Sequence, residues 1–156
     1  MENHERSTQE KTEAPAETAI WFQIRLDGVK VLLIEDVPDA RLLIARMLSR
    51  AGASVFTSGS AQEAREILSR ATLDVIVSDI AMPDEDGIAF IRWLRESEEQ
   101  SGGHIPAIAL TAFNDAQVRS QALRAGFQAH VCKASSSALL LKTVFDLAEL
   151  DKSTLH

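Results

Sequence analysis

The stretch Asp74-Val75-Ile76-Val77-Ser78-Asp79-Ile80-Ala81-Met82-Pro83-Asp84-Glu85-Asp86-Gly87 decides how this chain is read. Asp74–Ser78 is apolar at successive positions, not alternate ones, as in a strand covered on both faces of a parallel sheet. A Pro- and Asp-rich turn follows, and Gly87–Glu98 has a helical pattern. Working toward the N-terminus, Val29–Ile34 is a second nearly continuous apolar run. Between the two lie a helical segment and a short strand. Asp39–Ala51 repeats Leu42, Leu43, Met47 and Leu48 at helical spacing and stops at Gly52, and Ser54–Thr57 is strand-like. Ser60-Ala61-Gln62-Glu63 is a capping box that opens a helix to about Arg70. Working toward the C-terminus, Ile105–Leu110 is a strand, and Asn114–Gln117 caps a helix ending at Gly126. Ala129–Cys132 is a last short strand and Ser137–Leu150 a last amphipathic helix. Five strand–helix repeats imply an α/β fold, an open doubly wound sheet of five parallel strands joined by right-handed crossovers. Such a sheet collects its chemistry outside the carboxyl ends of its strands.

Composition sets the outer limits. With 156 residues, 46% hydrophobic and 25% charged, the chain has the make-up of one globular domain with an appendage. Cys132 is the single cysteine, which excludes a disulfide framework. No apolar run approaches the roughly 20 residues of a membrane span, and Met1-Glu2-Asn3-His4-Glu5-Arg6 is no signal region, so the expected setting is cytoplasmic. A net charge of −7 argues against nucleic acid as the main partner. Residues 1–19 carry five glutamates against Arg6 and Lys11, with Met1 the one large apolar side chain, and are expected to be a disordered acidic tail. Residues 20–28 alternate loosely before Asp27-Gly28 and read as a linker or an extra strand. The folded domain is assigned to 29–150, with a tail at 151–156. That length leaves an expectation of no separate output domain.

The residues just past each strand carry the functional signal. Strand 1 runs into Glu35-Asp36, strand 3 into Asp79, strand 4 into Thr111-Ala112, and strand 5 into Lys133. Three carboxylates on one sheet edge repel one another unless a cation joins them, and Mg²⁺ favours such oxygen donors. Thr111 and Lys133 add a hydroxyl and an ammonium suited to an anionic group such as a phosphoryl.

From about Val29 to Leu150 the chain resembles the response-regulator receiver domains of two-component signalling. The resemblance rests on Val29-Lys30-Val31-Leu32-Leu33-Ile34-Glu35-Asp36, on the Asp74–Gly87 stretch, on Ala109-Leu110-Thr111-Ala112, and on Lys133. It implies a flavodoxin-like (βα)5 fold with strand order 2-1-3-4-5. It implies that Asp79 is the phosphoacceptor, that Asp36, Asp79 and the Ala81 carbonyl hold Mg²⁺, and that Glu35 acts through water. Lys133, Thr111 and the backbone N–H groups of Ala81 and Ala112 would bind the phosphoryl group, with Thr111 as the switch. Implied partners are a sensor or hybrid histidine kinase or a phosphotransfer protein, with output or homodimerisation through the helix 4–strand 5–helix 5 face. The protein would not be an enzyme beyond its own phosphorylation and slow dephosphorylation. Ile20–Leu26, followed by Asp27-Gly28, is similar to the end of a kinase ATPase domain linked to a receiver.

Several positions depart from the family pattern. Ala134 replaces the usual proline after the lysine, so a trans Lys133–Ala134 bond is expected. His130 stands where the switch aromatic is usual. Ala81 and Phe113 occupy the two positions that tune hydrolysis, and neither side chain can orient water, so slow self-dephosphorylation is expected. Trp93 in the third helix reads as packing. On the fifth helix, Leu139, Leu140, Val144, Leu147 and Leu150 exceed one packing stripe. A phosphorylation-independent pseudo-receiver remains the alternative. A flavin or phosphate enzyme would need a Gly-rich loop after strand 1, and a haloacid-dehalogenase-type phosphatase would need an acid at Ala81.

Overall fold

The computed structural model describes residues 24–98, 102–112 and 114–154, with side chains through residue 150. In chain order the elements are β1 (Lys30–Ile34), α1 (Pro38–Arg50), β2 (Ser54–Ser58), α2 (Ala61–Leu68) and β3 (Val75–Asp79). They continue with α3 (Gly87–Glu96), β4 (Ala107–Thr111), α4 (Ala116–Ala125), β5 (Ala129–Cys132) and α5 (Ser137–Thr154). All strand pairs are parallel and their order is β2-β1-β3-β4-β5. The expected architecture is present.

The two-residue period of the strands divides the sheet between two cores. Val31, Leu33, Val75, Val77, Ile108 and Leu110 face α1 and α5, where Leu48, Leu141 and Val144 meet them. Leu32, Ile34, Ile76, Ala107 and Ala109 face α2, α3 and α4, where Ala64, Phe90, Ile91, Leu94 and Ala122 meet them. Each fully buried Leu, Ile or Phe stabilises the fold by about 1.5–3 kcal/mol. Because β1, β3 and β4 are used on both faces, their sequences run apolar without alternation.

Element ends shift from the expected ones for local reasons. β3 begins at Val75 because the Asp74 carboxylate accepts the Lys30 N–H at 2.8 Å and so serves as a cap. β4 begins at Ala107 because Pro106 has no N–H to give, although its carbonyl still accepts from Ile76 at 2.9 Å. The α2 capping box is offset by one residue. Ser60 Oγ accepts from Glu63 N at 3.2 Å, but the Glu63 carboxylate takes the N–H of Gly59, not that of Ser60. α3 stops at Glu96, where Ser97 becomes extended.

Of the strand-like run at 20–26, residues 20–23 lie outside the described residues, as does the expected tail at 1–19. Ile24–Leu26 form no strand. Leu26 instead donates its N–H to Ala51 O at 2.7 Å and is wholly buried in the first core. Asp27 and Gly28 (φ +81°) then turn the chain into β1.

Candidate functional site

The parallel register brings Ile34 beside Ser78, Asp79 beside Leu110, and Thr111 beside Cys132, so the residues that follow these strands share one edge. The backbone ladder continues one step beyond the strands and fixes where those residues start. Glu35 N–H donates to Ser58 O at 3.0 Å, Ile80 N–H to Leu110 O at 3.1 Å, and Lys133 N–H to Thr111 O at 2.7 Å.

Lys133 is the centre of the resulting cluster. Its Nζ lies 2.8 Å from Glu35 Oε2 and 3.1 Å from Asp79 Oδ2. The other Asp79 oxygen, Oδ1, accepts the Ala81 N–H at 3.1 Å. Glu35 is completely buried; its Oε1 accepts from Val37 N at 3.3 Å, and Arg41 Nη1 donates to its carbonyl at 2.9 Å. Burial pushes the Glu35 carboxyl above its ordinary pKa, the Asp79 charge adds to that, and Lys133 opposes it. Burial alone would lower the Lys133 ammonium, but its hydrogen bonds and charge contacts with Glu35 and Asp79 outweigh that and raise it. Lys133 therefore stays charged and Glu35 serves as its direct partner, a role the sequence did not suggest. Thr111, almost fully buried, has its Oγ1 2.7 Å from His130 Nε2.

The chain as a whole was compared with known proteins. The response regulator receiver domain model matches residues 31–145. The chain belongs to the response regulator receiver family.

An uncharacterized 14.6 kDa protein of Leptolyngbya boryana is 39% identical over 119 residues, 76% of this chain and 89% of that protein. Hybrid signal transduction histidine kinase D of Dictyostelium discoideum is 30% identical over 137 residues, covering 84% of this chain but 9% of the kinase. Among solved structures, the receiver domain of Francisella response regulator 1452 aligns with a TM-score of 0.73 at 25% identity. That alignment covers 80% of this chain and 99% of the other. The chemotaxis response regulator CheY4 of Vibrio cholerae aligns with a TM-score of 0.69 at 28% identity, covering 76% and 98%.

Receiver domains generally bind Mg²⁺ in an acidic pocket, and the residues of this receiver fit such an ion. One oxygen from each of Glu35, Asp36 and Asp79 lies within 4.8 Å of the others. Asp36 Oδ1 is buried with no hydrogen-bond partner, although a buried carboxylate oxygen needs a donor or a cation. Oxygens around one octahedral Mg²⁺ lie within about 4 Å of each other, so a small contraction would bring Asp36 and Asp79 into range, with Glu35 close enough to join through water.

The remaining expected positions divide as follows. No cis peptide occurs among the described residues, so Lys133–Ala134 is trans as expected. Ala81 is exposed beside Asp79, the Ala112 carbonyl accepts from Cys132 Sγ at 3.7 Å, and Phe113 lies outside the described residues. On α5, Leu140 and Val144 are core residues while Leu139 and Leu150 are exposed. Gly87, the first residue of α3, is required there by packing, since a Cβ would come within 2.4 Å of the Asp79 carbonyl oxygen. Sequence reasoning missed Arg65 of α2. Its guanidinium pairs with both Glu85 oxygens and lies 4.5 Å over the Trp93 ring. No spacing rule links residues 20 and 28 positions apart, so nothing local could have shown it.

Proposed function

We propose that this receiver accepts a phosphoryl group on Asp79 from a phosphohistidine of a histidine kinase or phosphotransfer protein, and passes the signal on through protein–protein contact. The observation that supports this best is the charge arrangement around Asp79. One of its oxygens is engaged by Lys133, and the adjacent Asp36 has a buried oxygen that only a cation or donor would satisfy. In the transfer, an Asp79 carboxylate oxygen bonds to phosphorus as the N–P bond to the donor imidazole breaks, and that bond's electron pair returns to the donor ring. Asp36, Asp79 and the Ala81 carbonyl would hold Mg²⁺ directly and Glu35 through water, and the ion would offset the charge on the incoming phosphoryl oxygens. Lys133, released from Asp79, would follow the charge onto the phosphoryl oxygens while keeping Glu35 as its buried partner. The Thr111 hydroxyl and the N–H groups of Ala81 and Ala112 would donate to the same oxygens.

The switch would run from Thr111 through His130 to a face that displays Leu123 of α4 and Leu139 of α5. Both are nearly half exposed, and both border the hollow onto which His130 opens. That surface suits a protein partner or a second copy better than a solvated helix pair.

Incubation with acetyl phosphate and Mg²⁺, followed by intact mass, tests the assignment. A gain of one phosphoryl group in the wild type, lost in Asp79→Asn and on removal of Mg²⁺ by chelation, is the expected result. An unmodified wild type would turn the reading toward a phosphorylation-independent interaction module. Equal modification of Asp79→Asn would move the acceptor elsewhere.

A further inference from the structure

The β3–α3 loop, Ile80–Asp86, carries Ala81 two residues after Asp79, and its conformation is not one the backbone prefers. Glu85 N–H donates to Pro83 O at 2.8 Å, closing a three-residue turn around Asp84, whose φ is +68°. A γ-turn with positive φ at its centre is rare and strained, and it persists only where surrounding contacts hold it. Asp84 is the one non-glycine residue with positive φ among those described.

The contact that holds this turn comes from a different helix. Arg65 Nη1 reaches Glu85 Oε1 at 2.8 Å and Nη2 pairs with Oε2, a two-point ion pair with both side chains about one-third exposed. The guanidinium cannot swing away freely, because it also lies 4.5 Å over the Trp93 ring and 5.8 Å from the Phe90 ring centre. Trp93 and Phe90 in turn pack 5.8 Å apart on α3, whose N-cap is Asp86, the last residue of the same loop. Arg65 therefore ties α2, α3 and the strained turn together. A fork-shaped donor fixed at both ends does this; a lysine point charge would not.

We infer that Arg65, through its two-point pairing with Glu85, is a positioning residue that sets the Ala81–Asp86 loop beside Asp79 and thereby sets the site's affinity for a divalent cation. This inference rests on the function proposed above. The loop offers the Ala81 carbonyl as one of the cation's ligands, so a loop that samples other conformations presents that ligand only part of the time. The apparent affinity falls by the same fraction.

The test uses the full chain and Mg²⁺ itself. Arg65→Met keeps an apolar stem over Trp93 and removes the ion pair, and Glu85→Gln removes it from the other side. Mg²⁺ dissociation constants would come from amide chemical-shift titration, with thermal unfolding measured alongside. Each single variant is expected to weaken Mg²⁺ binding by about three- to tenfold. The double variant should be no weaker than either single one, and the exchange Arg65→Glu with Glu85→Arg should recover part of the loss. The Ala81 and Asp84 amide signals should also shift or broaden in the cation-free single variants. A purely structural pair would lower the melting temperature and leave the Mg²⁺ constant unchanged, and that outcome overturns the inference. So would additive losses in the double variant. A wild type that fails to bind Mg²⁺ at all would overturn the proposed function and this inference together, which separates the two failures.

Discussion

His130 stands at the position proposed for the switch, and its contact with Thr111 bears on what that switch would respond to. Its Nε2 sits 2.7 Å from Thr111 Oγ1, so the two side chains share a proton. Burial, and then the positive charge of Arg119 on α4, hold the imidazole below its ordinary pKa of about 6.5. The folded protein thus favours the neutral ring. An unfolded chain takes up the proton more readily, so His130 makes the fold less stable as pH falls from about 6.5 through the lowered value. With the ring neutral and Nδ1 protonated, the Thr111 hydroxyl donates to Nε2 and its proton is committed. With the ring charged, Nε2–H donates to Oγ1, and the hydroxyl proton is released toward a phosphoryl oxygen. We therefore expect beryllofluoride, an acyl-phosphate mimic, to gain affinity for the wild type relative to His130→Phe as pH drops from 8 to 6. Calorimetric titration of both proteins at both values checks this, and an unchanged affinity ratio would count against it. The sequence showed that a histidine occupies this position. It could not show the hydrogen bond, which depends on β4 and β5 being adjacent in register.

At the scale of elements, the junction between β3 and α3 is closely packed, backbone against backbone. Gly87 N–H donates to the Ile80 carbonyl at 2.9 Å, which draws the first turn of α3 against the end of β3. An added methyl at Gly87 would meet Asp79 O at 2.4 Å, Ile80 Cα at 3.0 Å and Asp79 C at 3.2 Å. All three are backbone atoms and cannot rotate aside. Helix propensity alone would favour Gly87→Ala by about 1 kcal/mol. The collision should reverse the sign and leave a net loss of about 1–3 kcal/mol, read as a lower midpoint in urea. Because the displaced atoms belong to Asp79, phosphorylation by acetyl phosphate should slow in the same variant. A neutral or stabilised Gly87→Ala would show that the helix can retreat from the strand. Elements of this kind are mostly legible beforehand: apolar runs, short strand-like segments, helical spacings and capping residues together located all five strands and all five helices. Their limits moved where a side chain acted across the sheet, as Asp74 does on Lys30, or where Pro106 withheld a donor. Those effects depend on neighbours distant in sequence.

For the whole molecule, the sequence pattern put the folded domain at Val29–Leu150, yet the first core extends further toward the N-terminus. Leu26 is 0% exposed, and Ile24 packs against the same cluster at the α1–α5 side of the sheet. The chain is pinned there twice more, by Leu26 N–H on Ala51 O and by Arg25 Nη1 on Arg50 O at 3.1 Å. Arg25 also pairs with Asp27 at 2.9 Å, although both side chains are largely exposed, so that pair contributes little. The signal for this anchoring was present as a single leucine before Asp27-Gly28. A lone apolar residue beside a turn has no periodicity to distinguish a core plug from a strand remnant, so the pattern could not locate it. Leu26→Ala should lose about 2–5 kcal/mol, the range for emptying a well-packed leucine site. For a domain of this size that is a fall of roughly 10 °C in melting temperature. A chain beginning at Val29 should lose at least as much relative to one beginning at Ile24. Together these variants separate anchoring by Leu26 from any contribution of residues 1–23. If the chain beginning at Val29 melted with the wild type, residues 24–28 would be a linker and the domain would begin at β1. Acetyl-phosphate labelling of each variant at low temperature adds a second discrimination. Leu26 lies at the opposite end of the strands from Asp79, so labelling should persist wherever the fold does.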